Sequence, residues 1–94
     1  MGPQRVEEIR RRLVETFHPV RLEIEDQSQL HAGHAGARSS GGGHYVVTII
    51  AQSFTGKTQL ERHRLVYDAL RDLMARDIHA LSVRAASPQE QAET

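Results

Sequence analysis

With 94 residues, the chain has room for one domain and a small core, since a chain of this size buries only about two-thirds of the surface its unfolded form exposes. Its 12 Lys and Arg balance its 12 Asp and Glu, so there is no general attraction to phosphate backbones or anionic membranes, and nucleic-acid binding would need a local basic patch. Cysteine is absent, which excludes internal disulfides, a cysteine nucleophile and thiolate ligation by this chain; a metal it held alone would sit on imidazole, carboxylate or carbonyl groups.

No run approaches the roughly 18 apolar residues of a membrane span, and no apolar stretch of a secretory signal follows the start. A soluble, cytoplasmic protein without membrane attachment is the expectation. The opening MGPQRVEEIRRRLVETF is Arg-rich, but Glu7, Glu8 and Glu15 argue against a mitochondrial presequence, and its apolar residues are needed elsewhere. Val6, Ile9, Leu13 and Phe17 recur at helical spacing and leave Arg10, Arg11, Arg12 and Glu15 for solvent, which predicts an amphipathic helix. His18 and Pro19 end it. In VRLEIE, Val20, Leu22 and Ile24 alternate with charged residues as in a half-buried strand. Residues 26–43, with QLHAGHAGARSSGGG at their centre, form a flexible loop. YVVTIIA then reads as a central strand, covered on both faces or at least well enclosed.

SFTGK carries a turn at Gly56, and from Thr58 the spacing of Leu65, Val66, Ala69, Leu70 and Leu73 predicts a helix to about Ala75. Arg64 with Asp68, and Asp72 with Arg76, stand four apart as supporting ion pairs on its outer face. HALSVRA is a third strand. Ser87, Pro88 and Glu90 occupy the N-cap, first and third positions of a short helix, with a frayed polar tail over about 88–94. The predicted core is Ile9, Leu13, Leu22, Val47, Ile49, Leu65, Ala69 and Val83.

The order helix, strand, strand, helix, strand gives a single α+β domain, residues 1–94, with a three-stranded mixed sheet. Strands one and two, joined directly, are antiparallel; strands two and three, joined through a helix, are parallel. The end of the first strand and the starts of the other two therefore share one end of the sheet. That brings together His31 and His34 of the loop, His44 at the start of the second strand and His79 at the start of the third. Long structureless loops in small domains are usually functional or disordered. From the residues alone, three readings stand: a polar hairpin connection, a zinc or copper site made by these four histidines without a partner, and a ligand site completed by another molecule. An enzyme is disfavoured, because the serines cluster in the loop with no acid and base placed to form a triad.

HAGH, GHYVVTIIAQSFTGKTQLERHRLVYDAL and IHALSVRAASPQE resemble the BolA family over nearly the whole chain, from the first helix to Glu90. The resemblance implies a type II KH-like fold and a heterodimer with a monothiol glutaredoxin around a shared [2Fe-2S] cluster. Glutaredoxin and its glutathione would supply thiolates, and this chain would supply the histidine of IHAL, His79, and a loop histidine, His31. This is the His-loop type, with His34 the alternative loop ligand and no cofactor required for folding. The implied role is assembling, trafficking or sensing clusters. His44 and His63 are expected to support the ligands or the structure, and His18 only to punctuate. Lys57, Arg62 and Arg64 read either as a solvated helix face or as contacts to DNA or a partner, since some BolA-like proteins are described as transcriptional regulators. The single glycine of FTGK departs from the G-x-x-G clamp of nucleic-acid-binding KH domains, which makes DNA binding the lesser expectation.

Overall fold

The computed structural model describes residues 2–27, 43–76 and 78–93. Helix α1 (Gly2–Phe17) leads into β1 (Arg21–Asp26) and β2 (Gly43–Ile50); a 3-10 turn (Gln52–Phe54) leads to α2 (Gln59–Ala69) and α3 (Arg71–Arg76), then β3 (Ile78–Ala86) and α4 (Pro88–Glu93). The sheet order is β1-β2-β3, antiparallel between β1 and β2 and parallel between β2 and β3. This is the small α+β domain with a three-stranded mixed sheet expected from the sequence. Of the connection expected over 26–43, Asp26 closes β1 and Gly43 opens β2; residues 28–42, His31 and His34 among them, lie outside the described residues.

The helical period of α1 places Ile9, Leu13 and Phe17 in the core, against Tyr45, Val47 and Ile49 of β2 and Val83 and Ala85 of β3. Val66, Leu70, Leu73 and Phe54 complete it, while Leu22, Leu65 and Ala69 are partly buried against it. Each fully buried aliphatic side chain contributes about 1.5–3 kcal/mol by transfer. Phe17 and Phe54 meet at 5.1 Å between ring centroids with a 40° tilt, within the range favoured by aromatic pairs, and so pin the FTGK turn to the end of α1. On the other face of β2, His44, Val46 and Thr48 are only half-buried. The central strand is enclosed by its neighbours rather than covered on both sides.

The punctuation acts through backbone geometry. His18 has φ 47°, a left-handed conformation uncommon outside glycine, and its N–H reaches Val14 O at 2.9 Å; with Pro19 next, the helix cannot continue. Gly56 takes φ 77° at the turn, where a side chain would be strained. Thr58 caps α2 through a reciprocal pair: its Oγ1 accepts from Glu61 N at 3.1 Å, and Glu61 Oε1 accepts from Thr58 N at 2.8 Å. The backbone bond from Thr58 holds the Glu61 carboxyl below its usual range.

Three expectations need correction. Val20, assigned to the inward row of β1, precedes the strand and is 68% exposed; its N–H still bonds Ile50 O at 2.8 Å, but it sits at the sheet corner where the chain has just left α1. The long helix over 58–75 is two: Leu70 leaves helical geometry (φ −108°, ψ 17°), its N–H shared among the carbonyls of Val66, Tyr67 and Asp68. With no Gly or Pro there, local sequence gives no warning of the break. The outer ion pairs also differ. Asp68 is met by Arg71 at 3.4 Å and Asp72 by Arg12 of α1 at 3.7 Å, while Arg76 Nε donates to the Asp72 backbone carbonyl.

At the C-terminus the Ser-Pro-x-Glu signature behaves as expected. Glu90 N donates to Ser87 Oγ at 3.3 Å and Ser87 N to Glu90 Oε1 at 2.8 Å, and α4 follows. The Glu90 carboxylate also receives both terminal nitrogens of Arg62, at 2.8 and 3.0 Å. That guanidinium, helped by the Ser87 amide, holds the Glu90 carboxyl down at about 2 against an ordinary 4.5. A depressed carboxylate adds stability that is present above the unfolded pKa and lost as pH falls through the folded one. The stability lost from about pH 4.5 down to about 2 is therefore expected to shrink in Glu90→Gln, read as the urea midpoint against pH. Parallel acid limbs in the two proteins would contradict the assignment.

Candidate functional site

Antiparallel and parallel pairing bring the end of β1 and the starts of β2 and β3 to one end of the sheet. Asp26 pairs with Tyr45, Gly43 with Ile78 and His44 with Ala80, and Gln27 N donates to His44 O at 2.7 Å. Paired backbones in a sheet lie about 5 Å apart, so the chain at His44 and the chain at His79 are neighbours. His44 is half-buried.

The β2–β3 register steps by one at this point, from Gly43 opposite Ile78 to His44 opposite Ala80. His79 is thus the extra residue of a bulge. The burial pattern of β3 carries the same step: Val83 and Ala85 are buried at odd positions, and Ile78 is buried at an even one. Bulges recur beside functional sites, where they redirect a strand locally.

The ground beneath this end of the sheet is tightly built. A Cβ on Gly43 would lie 2.6 Å from the Cε2 and Oη atoms of Tyr45, so the Tyr45 ring occupies the space a side chain would need. Tyr45 is 2% exposed, and Arg5 Nη1 of α1 approaches its hydroxyl at 3.4 Å. On the free edge of β3, Tyr67 Oη donates to Leu81 O at 3.1 Å, while Arg62 Nη1 and Gln59 Nε2 reach Ala85 O at 3.0 and 3.4 Å. Sequence reasoning missed Tyr45, Gly43 and Tyr67. The sole hint was a glycine at the opening of the strand that carries the β-branched run, a place where backbone or a ring approaches closely.

Of the residues singled out from sequence, His44 and the backbone of His79 come together, and His31 and His34 lie outside the described residues. His63 does not join them. It stands near the start of α2, its ring 6.4 Å from that of Tyr67, whose hydroxyl meets Leu81 O of β3. Packing on Tyr67 is a structural place, one of the two roles expected of His63. Arg62 is corrected: only 3% exposed, it donates to Lys57 O at 2.9 Å, to Ala85 O and to both Glu90 oxygens. It is neither on a solvated face nor available to a ligand. Lys57 and Arg64 are exposed and line a shallow depression with Glu61 and Leu65. Among the described residues, no helix is long and apolar enough to cross a membrane, and no group of three or more His, Cys, Asp or Glu comes together.

Comparison with known proteins agrees with this architecture. The family described as BolA-like protein matches residues 13–90. SufE-like protein 1, chloroplastic/mitochondrial, of Arabidopsis thaliana is 44% identical over 86 residues, covering 87% of this chain but 23% of that protein. Protein BOLA1, chloroplastic, of the same plant is 41% identical over 92% of this chain and 55% of its own length; the chain thus spans a quarter to about half of these two relatives. The DNA-binding transcriptional regulator BolA of Escherichia coli is 34% identical over 89% of this chain and 76% of its own. Among solved structures, the BolA domain of SufE1 from Arabidopsis thaliana superposes with a TM-score of 0.77 at 42% identity, covering 89% of this chain and 92% of that one. BolA1 from Mus musculus gives 0.76 at 36% identity, covering 93% and 68%. With its sheet, its helices and most of its sequence shared in this way, the chain belongs to the BolA-like protein family.

Proposed function

We propose that this chain is the cysteine-free half of a two-protein [2Fe-2S] site, a binding protein rather than an enzyme, whose partner is a monothiol glutaredoxin carrying glutathione. His79 and a loop imidazole, His31 with His34 as the alternative, are the ligands from this side; thiolates come from the partner and glutathione. The observation that carries the reading is the convergence of three strand ends on a bulge at His79, with the loop that bears His31 and His34 leaving and rejoining the sheet there. The donor set fits: neutral imidazole suits iron, and His in place of thiolate raises a cluster's potential, as at Rieske centres. His44, beside the bulge in the pairing, is the residue to hydrogen-bond a ligating imidazole and fix its tautomer. The role is cluster assembly, trafficking or iron sensing, in the cytoplasm by default, although two of the relatives above are named as chloroplastic or mitochondrial proteins.

Mixing the pure chain with an iron-loaded monothiol glutaredoxin is the test. A stable heterodimer with shifted visible absorption and circular dichroism is expected. An unshifted spectrum with tight binding of one zinc by the chain alone would favour a partner-independent His site instead.

The second reading is duplex DNA binding, favoured by the name of the Escherichia coli relative and by the exposed Lys57 and Arg64. Arg62, consumed inside the fold, no longer supports it. Tight, sequence-selective binding at physiological salt that is lost in Lys57→Ala/Arg64→Ala would put this reading first.

A further inference from the structure

We propose that Tyr67 and the Tyr45–Gly43 pair are positioning residues that hold the bulged start of β3, and with it His79, from both sides. The consequence for cluster binding rests on the reading above; the geometry does not. Among the described residues β3 is an edge strand, bonded to β2 on one side only, and at His79 even that ladder is interrupted by the register step. A bulge leaves its residue unpaired and the strand locally freer to bend. Something else has to fix this stretch if it is to present a ligand reproducibly.

On the free edge, the fixing group is Tyr67. Its hydroxyl donates 3.1 Å to the carbonyl of Leu81, the second residue after His79. Its ring is 38% exposed, so burial alone does not account for where it sits. On the β2 side, the Tyr45 ring lies over Gly43, within 2.6 Å of where a Cβ would stand, and Gly43 pairs with Ile78, immediately before His79. Any side chain at 43 has to displace either the ring or the strand, and the ring is 2% exposed with Arg5 at its hydroxyl. The strand is the freer of the two. Sequence at 43, 45 and 67 therefore sets the backbone position of residue 79, although none of the three is read as a ligand.

Tyr67→Phe keeps the ring and deletes one donor. In the isolated chain, amide exchange at Ala80 and Ser82, which face β2 in the ladder, is expected to quicken about fivefold, the value of one net hydrogen bond, while Arg84 and Ala86 stay within about twofold. Gly43→Ala should give the same local signature; because it can cost global stability, Gly43→Ala/Tyr45→Leu, which vacates the ring's space, is the folded control and should keep the fast exchange. Unchanged exchange at Ala80 and Ser82 in Tyr67→Phe overturns the proposal. With iron-loaded glutaredoxin, Tyr67→Phe should lose its altered circular dichroism several-fold faster than the wild type, at about the ratio seen in exchange. If exchange responds but the cluster spectrum ignores both Tyr67→Phe and His79→Ala, the clamp stands and the ligand reading falls. If the spectrum responds to His79→Ala but not to Tyr67→Phe, the positioning role in cluster binding is overturned.

Discussion

His79→Ala is expected to abolish the altered spectrum of the glutaredoxin complex, because the residue stands alone at the bulge, flanked by Ile78 and Ala80, neither of which offers a donor atom in its side chain. A ligand on a strand fixes where the metal sits, and one on a loop closes over it afterwards. His31→Ala should therefore weaken the spectrum without erasing it, since His34 follows three residues later in the sequence and can take its place. Both variants are expected to retain their helical circular dichroism and to melt cooperatively, since the periodic apolar positions Ile9, Leu13, Val47, Ile49 and Val83 form the core without them. His44→Ala is the informative intermediate: loss of a group that orients an imidazole typically costs about 10–100-fold in metal affinity, whereas loss of a ligand removes the species. If His79→Ala leaves the spectrum intact while His34→Ala or His44→Ala destroys it, the ligand assignment is wrong even though the family stands.

How much of this was legible beforehand depended on whether the signal was periodic. Ile9, Leu13, Val47, Ile49 and Val83 declared themselves core by spacing alone, and Ser87 and Glu90 declared a cap by their separation. The meeting of the strand ends followed from connectivity, before any side chain was placed. What the sequence hid was contact between distant residues. Arg62 lies between other charged residues on α2 and reads as solvent-facing until Lys57 O, Ala85 O and Glu90 are seen around it. The Tyr45 ring over Gly43 is likewise a packing fact, and the register step at His79 needs both strands to be visible. The break at Leu70 has no local breaker to announce it.

The same Arg62 gives the largest stability effect expected of a charged residue here. Truncating it strips donors from two backbone carbonyls, Lys57 O and Ala85 O, and leaves the Glu90 carboxylate without its bidentate partner. Unsatisfied buried acceptors cost about 1–3 kcal/mol each where water cannot replace the donor, and the lost aliphatic stem adds to that. Glu90 is half-exposed and can rehydrate, so the total for Arg62→Ala should be about 2–4 kcal/mol. For a domain of this size, that lowers Tm by roughly 10–25 °C. Glu90→Gln should do much less, and the double variant should be little worse than Arg62→Ala, because once the guanidinium is gone the carboxylate has lost the partner it was held by. An Arg62→Ala protein melting within about 4 °C of the wild type would show that water at Lys57 O, and Gln59 at Ala85 O, satisfy the two carbonyls and that the residue is free for another task. Otherwise, reduced DNA or glutaredoxin binding in an Arg62 variant reports a loosened α2–β3–α4 junction, and a surface contact can be tested only at Lys57 and Arg64, whose side chains are exposed.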